Sequence, residues 1–501
     1  MSEVPEGVNL PAFARKPPRP TVTLTLTRDG PDGVEVLLGR RAESMRAFPG
    51  YWAFPGGGVS RTDGEGEAFV QNTTSGSTSS VVAVVREMSE ELGVVPNGSS
   101  ITVVDAGLRK AILEDKLAFI NALKQETLVT NTSELRHISS RTTPPFGPMQ
   151  FENTFYHLHI GNQEFNPSTD MQTEFTAFEW MRPSDMLSRW KIHEIRVAPP
   201  VVTLLMEVER TLRHFDGNIV RAAEDLQKRQ PGRRSILFAH GVEVVPVKTA
   251  TLPPADHTNA YLVGDPEGEF VLVDPACRMR EGMEQLAEAV DRHRGDLIAI
   301  LFTHSHGDHI GDMDLLREAF DVPVWGSEYT SRTVHCDRIL VDGEILPLGN
   351  QEWTVLITPG HHPGHICLLS EAGLVAGDMV AGIGTILIPP GTGDMDLYIE
   401  QLQRLRDMEP HLMFPSHGPV ISLPEKTLTY YIKHRKERHQ RVLDAVDSGL
   451  TTVPEISVQA YANTPDAHPG LAQDQTLAHL LSHERSGRVQ QTGQGWVSGE
   501  N

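Results

Sequence analysis

The chain has 501 residues, a formal net charge of -22 and a hydrophobic fraction of 39%. That length calls for roughly three domains rather than one, and the apolar share is enough to give each a core. The acidic balance works against broad, unspecific nucleic-acid binding, although a local basic patch stays open. Only Cys277, Cys336 and Cys367 are present, odd in number and widely spaced, which fits a reduced compartment. Residues 1–20 read as a polar, proline-rich, flexible lead-in without the apolar core of a secretory signal. No apolar run approaches the ~20 residues of a spanning helix. The expectation is a soluble cytoplasmic enzyme with no membrane contact.

In chain order, Thr21-Val-Thr-Leu-Thr-Leu-Thr27 alternates like a strand, Arg28 to Gly33 carries Asp-Gly twice, and Val34 to Leu38 returns as a second strand. Tyr51-Trp-Ala-Phe-Pro-Gly-Gly-Gly58 follows. Val84 to Val94 reads as an amphipathic helix ended by Gly93. Glu87, Glu90 and Glu91 share one face of it at spacings of three and four. Such a face is usually just solvated. As a site, its hard oxygen ligands suit Mg²⁺ or Mn²⁺ gripping a diphosphate.

The glycine element followed by Arg86-Glu87-Met88-Ser89-Glu90-Glu91-Leu92-Gly93-Val94 resembles the nudix box. The helix half matches fully, but Gly58 and Arg86 are separated by the 27 residues from Val59 to Val85, against the usual thirteen. No glutamate stands at the regular spacing before Arg86. The extra segment, with Thr73 to Ser80 of low complexity, reads as a flexible insert. A longer loop costs little closure entropy, so the fold should survive it. Glu174 to Pro183 and Ala198-Pro-Pro200 resemble the long-insert coenzyme A diphosphatases. The resemblance implies an α/β/α sandwich and makes Glu87, Glu90 and Glu91 metal-binding and catalytic candidates. The alternative is a degenerate nudix domain that binds a nucleotide as a regulatory module, or only packs.

Gln227 to Arg234 is basic, contains Pro-Gly and reads as a linker. Beyond it, Val242 to Val247, Asn259 to Val263 and Phe270 to Val273 read as strands, and Met279 to His293 as a helix with Met283, Leu286 and Val290 on one face. The buried-strand pattern Leu297 to Phe302 ends in Thr303-His-Ser-His-Gly-Asp-His309. Three imidazoles and a carboxylate within six residues are good ligands for zinc-like ions. Asp312 to Phe320 reads as the next helix, with Leu315, Leu316 and Phe320 inward. Thr358-Pro-Gly-His-His-Pro-Gly-His365, Val375-Ala-Gly-Asp378 and Phe414-Pro-Ser-His-Gly-Pro419 each put His or Asp after a short apolar run.

These four sites in this order resemble the metallo-β-lactamase superfamily. The resemblance implies an αββα sandwich holding two Zn²⁺. It makes His304, His306 and His361 ligands of one ion, Asp308, His309 and His417 ligands of the other, and Asp378 the bridging carboxylate. Asp308 is also a catalytic candidate, and Asp274 matches the aspartate that supports the His-rich loop. Two ions about 3.5–4 Å apart can trap and ionise a bridging water and polarise a substrate oxygen. Of the neighbouring histidines, His362 and His365 are expected to make structural hydrogen bonds, one of them bracing a ligand. His257 is expected to be a plain loop residue.

Lys426 to Val446 reads as a long helix carrying Lys433, His434, Arg435, Lys436, Arg438 and Arg441, either a solvated face or a phosphate-contacting strip. Val453 to Val497 reads as helix, turn, helix and hairpin. Thr464 to Gly470, Thr476 to Gly487 and Pro415 to Val420 resemble the β-lactamase-like protein 2 group, with its winged-helix-like tail; Ser416 replaces a usual glycine. The expected fold class is therefore α/β and α+β. The expected division is a 1–20 lead-in, a nudix domain over 21–226 with its insert near 60–80, a linker over 227–238, a metallo-β-lactamase domain over 239–440 and a tail over 441–501. The group resemblance implies a single-strand endoribonuclease. Relatives in fungal polyketide pathways make a thioesterase the alternative. Partners would be a small diphosphate or thioester substrate, or single-stranded RNA.

Overall fold

A computed structural model describes residues 16–70, 78–145, 149–171, 174–229 and 232–499. Most of the expected lead-in, residues 73–77 of the expected insert and residues 230–231 of the expected linker lie outside the described residues. The chain divides into two compact units, one ending at His240 and the other starting at Gly241.

In the first unit, Arg19–Gly30 and Gly33–Arg41 form the expected hairpin, with Thr27 opposite Val36. Arg19–Gly30 also runs parallel to Phe151–His159, which pairs in turn with Arg136–Thr142. Val22, Leu24 and Leu26 point to one face, under the helices Thr78–Glu87, Ala106–Glu114 and Lys116–Lys124. The alternating threonines are buried too, at Thr23, Thr25 and Thr27. The opposite face of the sheet is covered as well, by Pro183–Lys191, Pro199–His214 and Ile219–Lys228 packed on Val36, Leu38 and Phe155. Helices on both faces make the α/β/α sandwich. The last of these helices extends into the first residues of the expected linker.

In the second unit, six strands are neighbours in the order Val242–Lys248, His257–Gly264, Glu269–Val273, Asp296–Leu301, Val324–Gly326 and Arg338–Ile339. A second sheet runs Ile345–Leu348, Gln351–Ile357, Ile366–Ser370, Gly373–Gly377 and Met413–Pro415. Helices Arg280–Arg292 and Met313–Ala319 bury Leu286, Ala289 and Leu316 against the first sheet. Helices Met395–Asp407 and Pro424–Asp447 bury Leu402, Leu405 and Leu428 against the second. This is the αββα sandwich. The boundary expected at 440/441 falls inside the single 24-residue helix Pro424–Asp447. The tail continues as Val453–Ala460, Pro469–Arg485 and a two-stranded hairpin, Val489–Thr492 with Gly495–Ser498. Among the described residues, no helix is long and apolar enough to cross a membrane.

Candidate metal centre

All seven ligand candidates of the second unit lie just beyond the C-terminal ends of strands. His304, His306, Asp308 and His309 follow Asp296–Leu301, with the last two in the single helical turn Gly307–Ile310. His361 follows Gln351–Ile357, Asp378 follows Gly373–Gly377, and His417 follows Met413–Pro415. The fold brings them together in three overlapping groups of ligand atoms, each within 4.8 Å: His304, His306 and His361; His304, His309 and Asp378; Asp308, His309 and His417.

Hydrogen bonds on the outer side of each ring decide which nitrogen faces inward. The His309 Nδ1–H donates to Asp274 Oδ2 at 2.9 Å. Asp274 also accepts Thr303 N–H at 2.8 Å and Thr303 Oγ1–H at 2.6 Å. With its hydrogen committed, Thr303 Oγ1 accepts from His304 Nδ1 at 3.0 Å. The His361 Nδ1–H donates to Leu387 O at 2.7 Å and the His417 Nδ1–H to His257 O at 3.1 Å. Each of these four rings therefore turns its Nε2 inward. His306 Nδ1 sits 2.9 Å from His304 Nε2 and 3.0 Å from His361 Nε2. Three nitrogens with at most one proton among them repel at that range, and a cation removes the conflict.

Asp378 stands between the groups. Its Oδ2 is 3.5 Å from both His361 Nε2 and His309 Nε2, and its Oδ1 is 3.5 Å from His417 Nε2. His417 Nε2 is also 3.6 Å from Asp308 Oδ2. His309 Nε2 and Asp378 Oδ1 are buried and make no hydrogen bond, as atoms reserved for a ligand would be. Burial, then the neighbouring His306, pushes His361 down to about 3. Against burial, the charges of Asp378 and Asp308 push His417 up to about 9. Burial opposes ionisation of Asp378 too, yet the facing His417 and His309 hold it well below the usual carboxylate range. The donor set thus fits divalent cations, with borderline nitrogen and oxygen ligands of the kind zinc takes.

The strand His257–Gly264 ties both ends of the centre. Thr258 Oγ1–H donates to Asp308 O at 2.9 Å. Asn259 Nδ2 donates to Pro415 O at 2.9 Å and Gly418 O at 2.8 Å, bracketing His417. His257, expected as a plain loop residue, orients a ligand through its carbonyl. His365 accepts Asp378 N–H at 2.9 Å through Nε2 and donates to Thr358 Oγ1 at 2.8 Å. A Cβ at Gly377, whose φ is +51°, would lie 2.4 Å from His365 Nε2, so this turn needs glycine. His362 is bonded to Ser305 Oγ at 3.0 Å. Asp274 holds its position at φ +45°, a sparsely populated conformation for aspartate that the network stabilises.

In the first unit the acidic trio surrounds Arg86. Its Nη1 donates to Glu87 Oε1 at 2.8 Å and Glu90 Oε1 at 2.9 Å, and Glu91 Oε2 accepts Gly56 N–H at 2.8 Å. Arg86 also donates to Asp63 Oδ1 at 2.8 Å and Oδ2 at 3.2 Å, and to Gly58 O at 2.9 Å. Burial alone would depress the guanidinium, but the hydrogen bond to Asp63 and the charges of Glu87, Glu90 and Asp63 hold it above its ordinary value. Burial pushes the Glu87 carboxyl up to about 7, and burial followed by the charges of Glu87 and Glu174 raises Glu91. A divalent cation would replace the protons these acids otherwise retain. The trio is looser than the histidine centre: among the described residues, every three-ligand group within 4.8 Å is in the second unit. Asp63 was not singled out from the sequence. Its signal is an acid six positions after Gly57, inside the segment expected to be a flexible insert.

The basic helix divides. Arg435 and Arg438 are buried, Arg438 donating to Thr464 Oγ1 at 3.0 Å and to Ala460 O, with its guanidinium 3.7 Å from the Tyr461 ring centroid. Lys433, Lys436 and Arg441 stay exposed, and Lys433 pairs with Glu437 at 3.8 Å. The strip of six expected from the sequence is not one surface, because a helix packed on two sides turns part of every run inward.

A metallo-beta-lactamase superfamily model matches residues 253–417, and a NUDIX domain model matches residues 17–110. The "Beta-lactamase-like protein 2 homolog" of Drosophila melanogaster is 28% identical over 249 residues, covering 46% of this chain and 84% of the fly protein. The "Lactamase-like protein aptB" of Emericella nidulans is 32% identical over 223 residues, covering 42% of this chain and 70% of the fungal one. The "Atrochrysone carboxyl ACP thioesterase" of Aspergillus chevalieri is 26% identical over 219 residues, covering 42% and 69%. The protein is a hydrolase of two metal-dependent folds. Its second half belongs to the metallo-β-lactamase superfamily, and residues 17–110 of its first half match a NUDIX domain.

Proposed function

We propose that the second half hydrolyses an acyl thioester. The observation that carries this reading is the wall beside the ligands. His361, Asp378 and His417 open onto a cleft lined by Leu252, Pro253, Pro254, Ile383, Ile386 and Leu387, with no lysine or arginine on it. Such a wall offers apolar contact to an acyl group and, apart from the metal centre, no cation to a polyphosphate. The thioesterase name of one relative supports the same reading. The endoribonuclease expectation is weakened by the inward turn of Arg435 and Arg438.

Bound at the histidine centre, two zinc ions would supply Lewis acidity at the substrate carbonyl and lower the pKa of an attacking water. The chain's own part is orientation: Asp274, Leu387 O and His257 O hold the Nε2 faces of His309, His361 and His417 inward. In the first half, Glu87, Glu90 and Glu91 would hold Mg²⁺ or Mn²⁺ against a diphosphate. An acyl-coenzyme A carries both a thioester and a diphosphate, so one substrate class satisfies both halves.

The test is zinc-loaded protein given acyl-coenzyme A and, in parallel, labelled single-stranded RNA. Free thiol that disappears in His304→Ala is expected. RNA fragments without thiol, lost in the same variant, would reverse the assignment. For the first half, Mg²⁺-dependent diphosphate hydrolysis should fall by orders of magnitude in Glu90→Gln. Unchanged turnover would remove the acidic trio from the chemistry.

A further inference from the structure

The loop after Asp378 has no regular secondary structure through Pro389, so its backbone must find partners elsewhere. Three consecutive carbonyls do so. Leu387 O accepts the Nδ1–H of the ligand candidate His361 at 2.7 Å. On either side, Ile386 O accepts from Arg435 Nη2 and Ile388 O accepts from Gln475 Nε2 at 2.9 Å. Gln475 Oε1 completes a two-point grip by accepting Ile388 N–H at 3.3 Å, and it also accepts Arg435 Nη1–H at 2.8 Å. Arg435 and Gln475 are 3% and 7% exposed, so these bonds compete with little water. Arg435 is on helix Pro424–Asp447 and Gln475 on helix Pro469–Arg485, both beyond the 253–417 family match.

We propose that Arg435 and Gln475 are positioning residues for His361: helices Pro424–Asp447 and Pro469–Arg485 together fix the carbonyls on both sides of Leu387 and so set the ring that reaches the metal. The inference rests on the metal-centre reading and is independent of the substrate. A carbonyl that orients a ligand ring acts only if its own peptide is held, and here that restraint comes from a helix of the sandwich, Pro424–Asp447, together with the tail helix Pro469–Arg485. Tyr398, whose ring centroid lies 5.4 Å from the Arg435 guanidinium, donates to Met379 O at 2.8 Å and links the same restraint to the residue after Asp378.

Gln475→Met keeps the side chain's length and removes both bonds to Ile388. Metal affinity is read by chelator competition with zinc, and ligand geometry by the visible spectrum of the cobalt(II)-loaded protein. One of two metals should bind about 10- to 100-fold more weakly, as when an outer partner of a metal ligand is lost, with an altered cobalt spectrum. Gln475→Glu keeps the acceptor for Ile388 N–H and Arg435 and should fall between parent and Gln475→Met. Val446→Ala, in the tail's own core, controls for simple loss of stability and should leave affinity and spectrum unchanged. Parent-like affinity and spectrum in Gln475→Met would overturn the proposal, as would the same loss in Val446→Ala. A parent protein that binds no metal would overturn the metal-centre reading and this inference with it.

Discussion

Two single residues carry more than their size. Arg86 and Asp63 both have side chains with no solvent exposure, and two hydrogen bonds join them. Removing one member of a buried ion pair costs at most about 3–5 kcal/mol, and here Glu87 and Glu90 still face Arg86. Asp63→Ala should therefore destabilise the first half by up to that much in denaturant unfolding, while Lys124→Ala, in an exposed pair with Glu65, should stay near the parent. Asn259 is the second. Asn259→Leu leaves Gly418 O without its side-chain donor, at about 1–3 kcal/mol, leaves Pro415 O to the Tyr261 hydroxyl alone, and should weaken metal binding through His417. Isothermal titration with zinc checks the latter; an unchanged isotherm would show that the turn holds itself. At this scale the histidines and aspartates of the second half were legible because four separate motifs repeat one device, a ligand just past a strand. Asp63 and Asn259 were not. Their importance lies in which backbone or guanidinium they meet, and that contact crosses 23 residues in one case and more than 150 in the other.

Among elements, strands and helices with a clean period were the most readable. The helix expected over Met279 to His293 forms as Arg280–Arg292, and the one over Lys426 to Val446 forms as Pro424–Asp447. The Thr21–Thr27 alternation gave the strand but not its second cover, since a polar face of small β-branched residues packs under helices as readily as it meets water. The tail helices also hold an acid-sensitive seam. His439 stacks on His483 with ring centroids 3.6 Å apart, and its Nδ1 is 3.1 Å from His479 Nδ1. Burial, then His483 and Arg488, pushes His439 down to about 3, and burial holds His479 well below its ordinary value. Each is neutral in the fold and takes a proton when unfolded, so its contribution is complete above pH 6.5 and lost as pH falls towards 3. Hydrogen exchange should show Pro469–Arg485 losing protection between pH 6.5 and 4 before Asp296–Leu301 does. His439→Gln should flatten that dependence, and a pH profile identical to the parent's would remove the seam as its cause.

For the whole molecule, a ligand that binds only the folded state stabilises it, and among the described residues the histidine-containing ligand groups lie in the second half. Stripping zinc with a chelator should lower amide protection in strand Gly373–Gly377 and the 303–310 turn, and leave Arg19–Gly30 in the first half unaffected. Equal loss in both halves would mean that the metal sits elsewhere. The two-hydrolase plan was legible because each half keeps a compact motif whose residues are close in sequence. The substrate was not, because it depends on the cleft wall, and Leu252 and Ile386 come from loops with no pattern of their own. One feature also bears on how such a chain can change by descent. Since helices Pro424–Asp447 and Pro469–Arg485 grip the very peptide units that steer His361, a gene crossover falling between codons 417 and 435 joins the strands to foreign helices. The offspring will keep a working centre only where those helices present an amide and a guanidinium at matching heights.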